Sequence, residues 1–195
     1  MPPVTQALLI ANVAVFLLQS ASGEQLETWF ALWPLDHGFA IWQLVTYGFL
    51  HGGIGHIFFN MLALYMFGSD IERLFGSRYF LIYYLACVVS AALCQLLVTS
   101  VMGAPPFPTI GASGGVYGLL LAFGMYFPRR MVMLIFPPIP MQARFFVIVF
   151  GALELVFGVT GTDAGVAHFA HLGGMLGGWF VIQYRRRGFP FTRRR

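Results

Sequence analysis

Four polar side chains sit inside long apolar runs of this sequence: His56, Asn60, Ser113 and His171. A hydroxyl and an imidazole are the usual pair for attack on a carbonyl, the imidazole taking the serine proton. Such an attack also needs donors for the oxyanion that develops. Ser113 lies in Gly111-Ala112-Ser113-Gly114-Gly115, after the stretch Ala104-Pro105-Pro106-Phe107-Pro108. Those prolines keep the preceding chain from being helical, so Ser113 is expected to begin a helix. Backbone N–H groups at a helix start are unpaired and can donate to an anion. Asn60 carries an amide NH₂ that could serve as a further donor.

Depth supports the grouping. At about 1.5 Å per residue, Ser113 lies about 24 Å from Arg129, His171 about 21 Å from Arg185 and Asn60 about 20 Å from Arg73. These values agree within a helical turn. They put the three groups some 6–10 Å below the outer edge of a roughly 30 Å hydrocarbon core. His56 lies one turn nearer the outside, on the face that Asn60 shares. Each residue alone has an ordinary explanation. A lone membrane serine bonds its own helix backbone, and a lone membrane histidine bridges two helices. Three polar groups from three spans at one level are harder to explain that way.

The elements that must position these groups are membrane helices. Of 195 residues 58% are apolar and only 9% charged, and the mean hydropathy is +0.78. A soluble domain carries about 25% charged residues, so this chain cannot cover a water-facing surface, and it is too apolar to be disordered. Six apolar segments are candidate spans: about 4–22, 54–70, 79–101, 113–128, 144–160 and 165–184. All 11 basic residues are arginine, and all fall in 69–78, 128–144 and 185–195. The alternate linkers 23–53, 101–112 and 160–165 hold no arginine but include Glu24, Glu27, Asp36 and Asp163. By the positive-inside rule the first set is cytoplasmic and the second external. The arginines therefore read as topology signals rather than a nucleic-acid surface, with a basic cytoplasmic tail at 185–195. The expected whole is one all-α, multi-pass domain over 1–195 in the cell (inner) membrane, with both termini cytoplasmic. The start Met1-Pro2-Pro3 has no basic n-region, so the first run is expected to be a retained helix, not a cleavable signal. Segment 23–53 is rich in aromatics, among them Trp29, Trp33, Trp42 and Tyr47, and is expected to fold partly within the outer leaflet.

Close helix approach is also encoded. Gly174 and Gly178 follow His171 on its own face, and Gly114 and Gly118 form a second small-xxx-small pair beside Ser113. Tyr117 lies one turn below Ser113, where its ring could pack on the imidazole or simply be core. Cys87 and Cys94 are about 10 Å apart along one helix, too far for a disulfide, and read as buried, reduced packing residues. Glu154 is the one acid deep inside a span. It lies about 15 Å from Arg144, which reads as well below the Ser113 level. It is expected to be a protonated carboxyl bonded to a neighbouring helix rather than a third catalytic member. His168 reads as a polar residue at an outer helix end.

The chain resembles the rhomboid family of intramembrane serine proteases. The matching motifs are His56-Ile57-Phe58-Phe59-Asn60, Gly111-Ala112-Ser113-Gly114, and Ala170-His171-Leu172-Gly173-Gly174 followed by Gly178. They fall in the second, fourth and sixth expected spans. The resemblance implies a six-helix bundle with a membrane-embedded first outer loop and a Ser–His dyad without a third acid. It implies Ser113 as nucleophile and His171 as general base. It further implies an oxyanion site of His56, Asn60 and the Ser113 N–H, with Tyr117 supporting His171. A structural role is implied for His51. Many members carry Trp-Arg in the outer loop, where this chain has Trp42-Gln43, which puts the loop's anchoring contacts in question.

The function implied is an endopeptidase acting on transmembrane protein substrates within the lipid bilayer, without metal or cofactor. No H-E-x-x-H set is present. Two alternatives are a catalytically silent relative that binds transmembrane helices, and a small transporter using the polar cluster as its site. The first would be expected to lack the dyad, and the second to show inverted halves.

Overall fold

The computed structural model describes residues 1–102, 107–133, 138–161 and 167–186. The Ala104–Pro106 stretch, Asp163 and the tail from Arg187 onward lie outside the described residues. The chain is mostly helical. Its elements are α1 (Pro3–Ser22), α2 (Gln25–Phe30), α3 (Gln43–Thr46) running into a 3₁₀ turn (Tyr47–Phe49), α4 (Ile54–Ala63), a π turn (Leu64–Gly68), α5 (Ser69–Phe75), α6 (Ser77–Met102), α7 (Ser113–Tyr126), β1 (Met131–Met133), β2 (Pro140–Gln142), α8 (Ala143–Thr160) and α9 (His168–Arg186).

Among the described residues, four stretches are long and apolar enough to cross a membrane: Pro3–Ser22, Ile54–Phe75, Ser77–Met102 and Ala143–Thr160. α7, with 14 residues, is a shorter apolar helix. α9 is long enough, but it ends in Arg185 and Arg186 and carries His168 and His171. Large apolar side chains such as Leu17, Ile148 and Val159 stay exposed on the outer helices. That is the surface of a protein whose solvent is lipid.

α6, α7 and α9 form the centre, and glycines set their spacing. A Cβ on Gly174 would meet the Gly114 carbonyl, and one on Gly118 would meet Cys87 Sγ. Gly178 faces the Tyr83 hydroxyl, and Gly177 presses on Ser90. The exposed carbonyls at these crossings are used: Tyr83 donates to Gly118 O at 2.7 Å and Ser90 to Gly173 O at 2.8 Å. Cys87 is buried and Cys94 half-buried, both as free thiols.

The second rod runs past its expected end near residue 70 and continues to Phe75, where Gly76 at φ +79° breaks it. The buried Glu72 explains the extension. Its carboxylate accepts from the N–H groups of Val4 (3.0 Å) and Thr5 (2.7 Å) and from the Thr5 and Ser77 hydroxyls (both 2.7 Å). It therefore satisfies the open start of α1.

One departure from an all-helical fold is a two-stranded ribbon pairing Met131 with Gln142, Val132 with Met141 and Met133 with Pro140. Pro128, Pro138 and Pro140 bar helix there, and the edge of a short ribbon tolerates proline. The Asp70 carboxylate reaches Arg130 at 2.7 Å, tying the base of the ribbon to α5.

The segment over 23–53 is ordered by polar anchors. The buried Gln43 side-chain oxygen accepts from Trp33 N and Ala40 N at 3.2 Å each, and Trp42 Nε1 donates to Trp29 O at 2.9 Å. Gln43 thus supplies anchoring contacts that the missing arginine left in question. Leu32 and Thr109 exchange backbone hydrogen bonds at 2.9 and 3.0 Å, joining this segment to the strand-like lead into Ser113.

Candidate active site

Ser113 is the first residue of α7, as the flanking prolines predict. The approach is made by Gly111 at φ +130°, a conformation that favours glycine. Gly111 N donates to Tyr47 O at 3.0 Å, which fixes the bend. An added Cβ at Gly111 would lie 2.8 Å from both Cε1 and Nε2 of His56, so this glycine also makes room for the imidazole.

His171 stands one turn into α9. Its Nε2 lies 2.7 Å from Ser113 Oγ. Two residues 58 positions apart are therefore in hydrogen-bond contact, at the geometry a nucleophile–base pair requires. The Tyr117 ring stacks on the His171 imidazole with centroids 4.4 Å apart and planes 5° apart. The Gly114–Gly174 contact, immediately beside both residues, sets the distance between the two helices.

His56 and Asn60 line the same cleft as Ser113 and Tyr117. Gly52 N donates to His56 Nδ1 at 3.2 Å. In the neutral ring Nε2 then carries the proton and is a donor, on the side facing Gly111. Asn60 Nδ2 gives one hydrogen to His56 O at 3.0 Å, leaving the second for another acceptor. The buried His51 packs edge-on against His56 with centroids 5.1 Å apart. Burial, then the neighbouring His56, pushes the His51 imidazole down to about 4, so it is neutral near neutral pH. Its backbone exchanges two 3.0 Å hydrogen bonds with the Gln19 side chain on α1.

One reading from the sequence needs correction. Glu154 is not below the Ser113 level: its Oε2 lies 2.9 Å from His171 Nδ1 and 2.6 Å from His168 Nδ1, and its Oε1 accepts from the Tyr117 hydroxyl. At about 1.5 Å per residue the depth count put the Glu154 backbone about 9 Å below Ser113 but only about 6 Å below His171. A glutamate side chain and a facing ring together span that gap. His168 is the helix-end residue the sequence predicts, the first of α9, and it is buried, with its ring against Phe157 at 5.7 Å. The (i, i+3) pair His168 and His171 on one helix face was the available signal for Glu154.

Residues 38–188 match the family model described as the rhomboid domain. Over 142 residues the chain is 32% identical to rhomboid protease GluP of Bacillus subtilis, covering 72% of this chain and 25% of that protein. It is also 32% identical over 188 residues to the mitochondrial RHOMBOID-like protein 12 of Arabidopsis thaliana, covering 88% of this chain and 55% of that one. Over 120 residues it is 32% identical to rhomboid protease GlpG of Klebsiella pneumoniae, covering 60% and 41%. The chain thus spans from a quarter to about half the length of these relatives.

Proposed function

The chain belongs to the rhomboid family, and we propose that it is an intramembrane serine endopeptidase cutting peptide bonds in or near transmembrane segments of other membrane proteins. The observation that carries this reading is the 2.7 Å contact between Ser113 Oγ and His171 Nε2. That pair stands at the head of a cleft of about 690 Å³. Below the polar head the cleft is lined by Phe59, Ala63, Met66, Val116, Phe146 and Phe150, a lining suited to an apolar segment entering between α4 and α8.

In this mechanism Ser113 Oγ attacks the peptide carbonyl while its proton passes to His171 Nε2. The negative charge on the carbonyl oxygen is met by the Ser113 N–H, His56 Nε2–H and the free amide hydrogen of Asn60. His171 hands the proton to the departing amine as the C–N bond breaks, leaving an acyl-enzyme on Ser113. Water then attacks the acyl carbon as His171 takes its proton; the Ser113 Oγ–acyl bond breaks, His171 returns that proton to Oγ, and the new carboxyl end is released. Tyr117 keeps the imidazole plane fixed throughout. The scheme uses no metal or cofactor.

The topology proposed with it is six spans in one domain over 1–195, counting α7 and α9 with the four longer rods. Both termini and the 185–195 tail face the cytoplasm of the cell membrane, because every arginine falls on one side. The segment over 23–53 then lies in the outer leaflet, above a shallow site that water reaches from outside.

The test is reconstitution in liposomes with a panel of single-span proteins. The protease reading predicts cleavage of at least one by the native chain and of none by Ser113→Ala. Stable binding of the spans by both forms, without cleavage, would replace it with a helix-binding function.

A further inference from the structure

We propose that Glu154 is a positioning residue for His171, making the catalytic array a Ser113–His171–Glu154 relay rather than a bare dyad; this deepens the protease reading and rests on it. Three groups converge on the Glu154 carboxylate. Tyr117 donates its hydroxyl to Oε1, while the Nδ1 atoms of His168 and His171 lie 2.6 and 2.9 Å from Oε2. The carboxylate is buried. It accepts from the Tyr117 hydroxyl and stands ready to accept from either imidazole that carries its hydrogen on Nδ1.

The consequence for His171 follows from its other nitrogen. To take the Ser113 proton, Nε2 must be bare, so the neutral ring carries its hydrogen on Nδ1. That atom faces Glu154. The carboxylate therefore favours the reactive tautomer and stabilises the imidazolium formed during attack. The Nδ1–H is not aimed straight at Oε2: among the described residues Nδ1 has ion-pair proximity but no regular hydrogen bond. The effect is accordingly expected to be smaller than that of a well-aligned buried carboxylate. Tyr117 links the two partners, its ring on His171 and its hydroxyl on Glu154.

Glu154, His168 and His171 could also be read as three ligands of a metal ion, since their ligand atoms lie within 4.8 Å of one another. The distances argue against it. Two atoms bound to one tetrahedral zinc at about 2.0–2.1 Å stand about 3.3 Å apart. The observed 2.6 and 2.9 Å are direct oxygen–nitrogen contacts.

The test compares the full native chain with Glu154→Gln and Glu154→Asp in detergent, using a single-span substrate that the native chain cleaves. The proposal predicts that Glu154→Gln lowers kcat about 10- to 100-fold, below the roughly 10⁴-fold of an aligned carboxylate, with KM unchanged. Glu154→Asp should recover part of that loss. ¹⁵N-histidine NMR of the native chain should find His171 protonated at Nδ1. An unchanged kcat in Glu154→Gln while the native chain is active would overturn the proposal alone. So would a native His171 protonated at Nε2, which needs no variant to fold, or one equivalent of zinc retained by the native chain and lost in Glu154→Gln. A native chain that cleaves nothing would instead remove the protease reading and this one with it.

Discussion

Gly174 on α9 lies against the carbonyl of Gly114 on α7 with no room for a side chain between them. Ser113 and His171 flank that crossing, so the backbone contact sets the separation of the two groups.

Gly174→Ala is expected to push α7 and α9 apart. The obstruction is backbone, which cannot swing aside, and overpacking of this kind costs about 1–3 kcal/mol. Gly178→Ala meets the Tyr83 hydroxyl rather than backbone; yielding would cost that hydroxyl its bond to Gly118 O but not the helix spacing, so this variant is expected to cost less. Thermal unfolding in detergent checks the order, and cleavage assays should show the larger loss of activity for Gly174→Ala.

In the proposed mechanism His56→Ala and Asn60→Ala are expected to lower kcat with KM nearly unchanged, because both groups would meet charge that exists only in the transition state. Loss of one such donor costs about 10²- to 10³-fold. Asn60 has already given one hydrogen to His56 O, so its loss is expected to be the smaller. Steady-state kinetics check this, and a rise in KM alone would contradict the assignment.

Tyr117→Phe keeps the ring stacked on His171 and removes only the hydroxyl that reaches Glu154. Tyr117→Ala removes both. Activity is expected to fall in the order native, Phe, Ala, with each retaining more than Ser113→Ala or His171→Ala. Equal loss for Tyr117→Ala and the dyad variants would contradict a supporting role.

The two residues that meet at 2.7 Å, Ser113 and His171, and the starts of their helices were legible in the sequence because each has a local cause. Prolines and Gly111 force Ser113 to begin α7, and Ala170 through Gly174 put His171 on a close-packing face. What was not legible depended on side-chain reach between elements. Glu154 was placed by backbone depth, which ignores the length of its own side chain. Glu72 sits in a short charged stretch that reads as a linker. Only the three-dimensional return of α1 shows that it caps Val4 and Thr5. The 131–142 ribbon falls in a segment whose prolines exclude helix without saying what replaces it.

Glu72→Ala should accordingly destabilise without touching the chemistry. It leaves two backbone donors at the start of α1 unpaired, at about 1–3 kcal/mol for each buried group. Thermal unfolding should move down, while kcat and KM per folded molecule stay at native values.

Labelling of the purified chain by a fluorophosphonate probe tests the central claim most directly. The account predicts one covalent adduct, located at Ser113 by mass spectrometry and absent in both Ser113→Ala and His171→Ala. An adduct that persists in either variant, or a folded native chain that takes none, would contradict it.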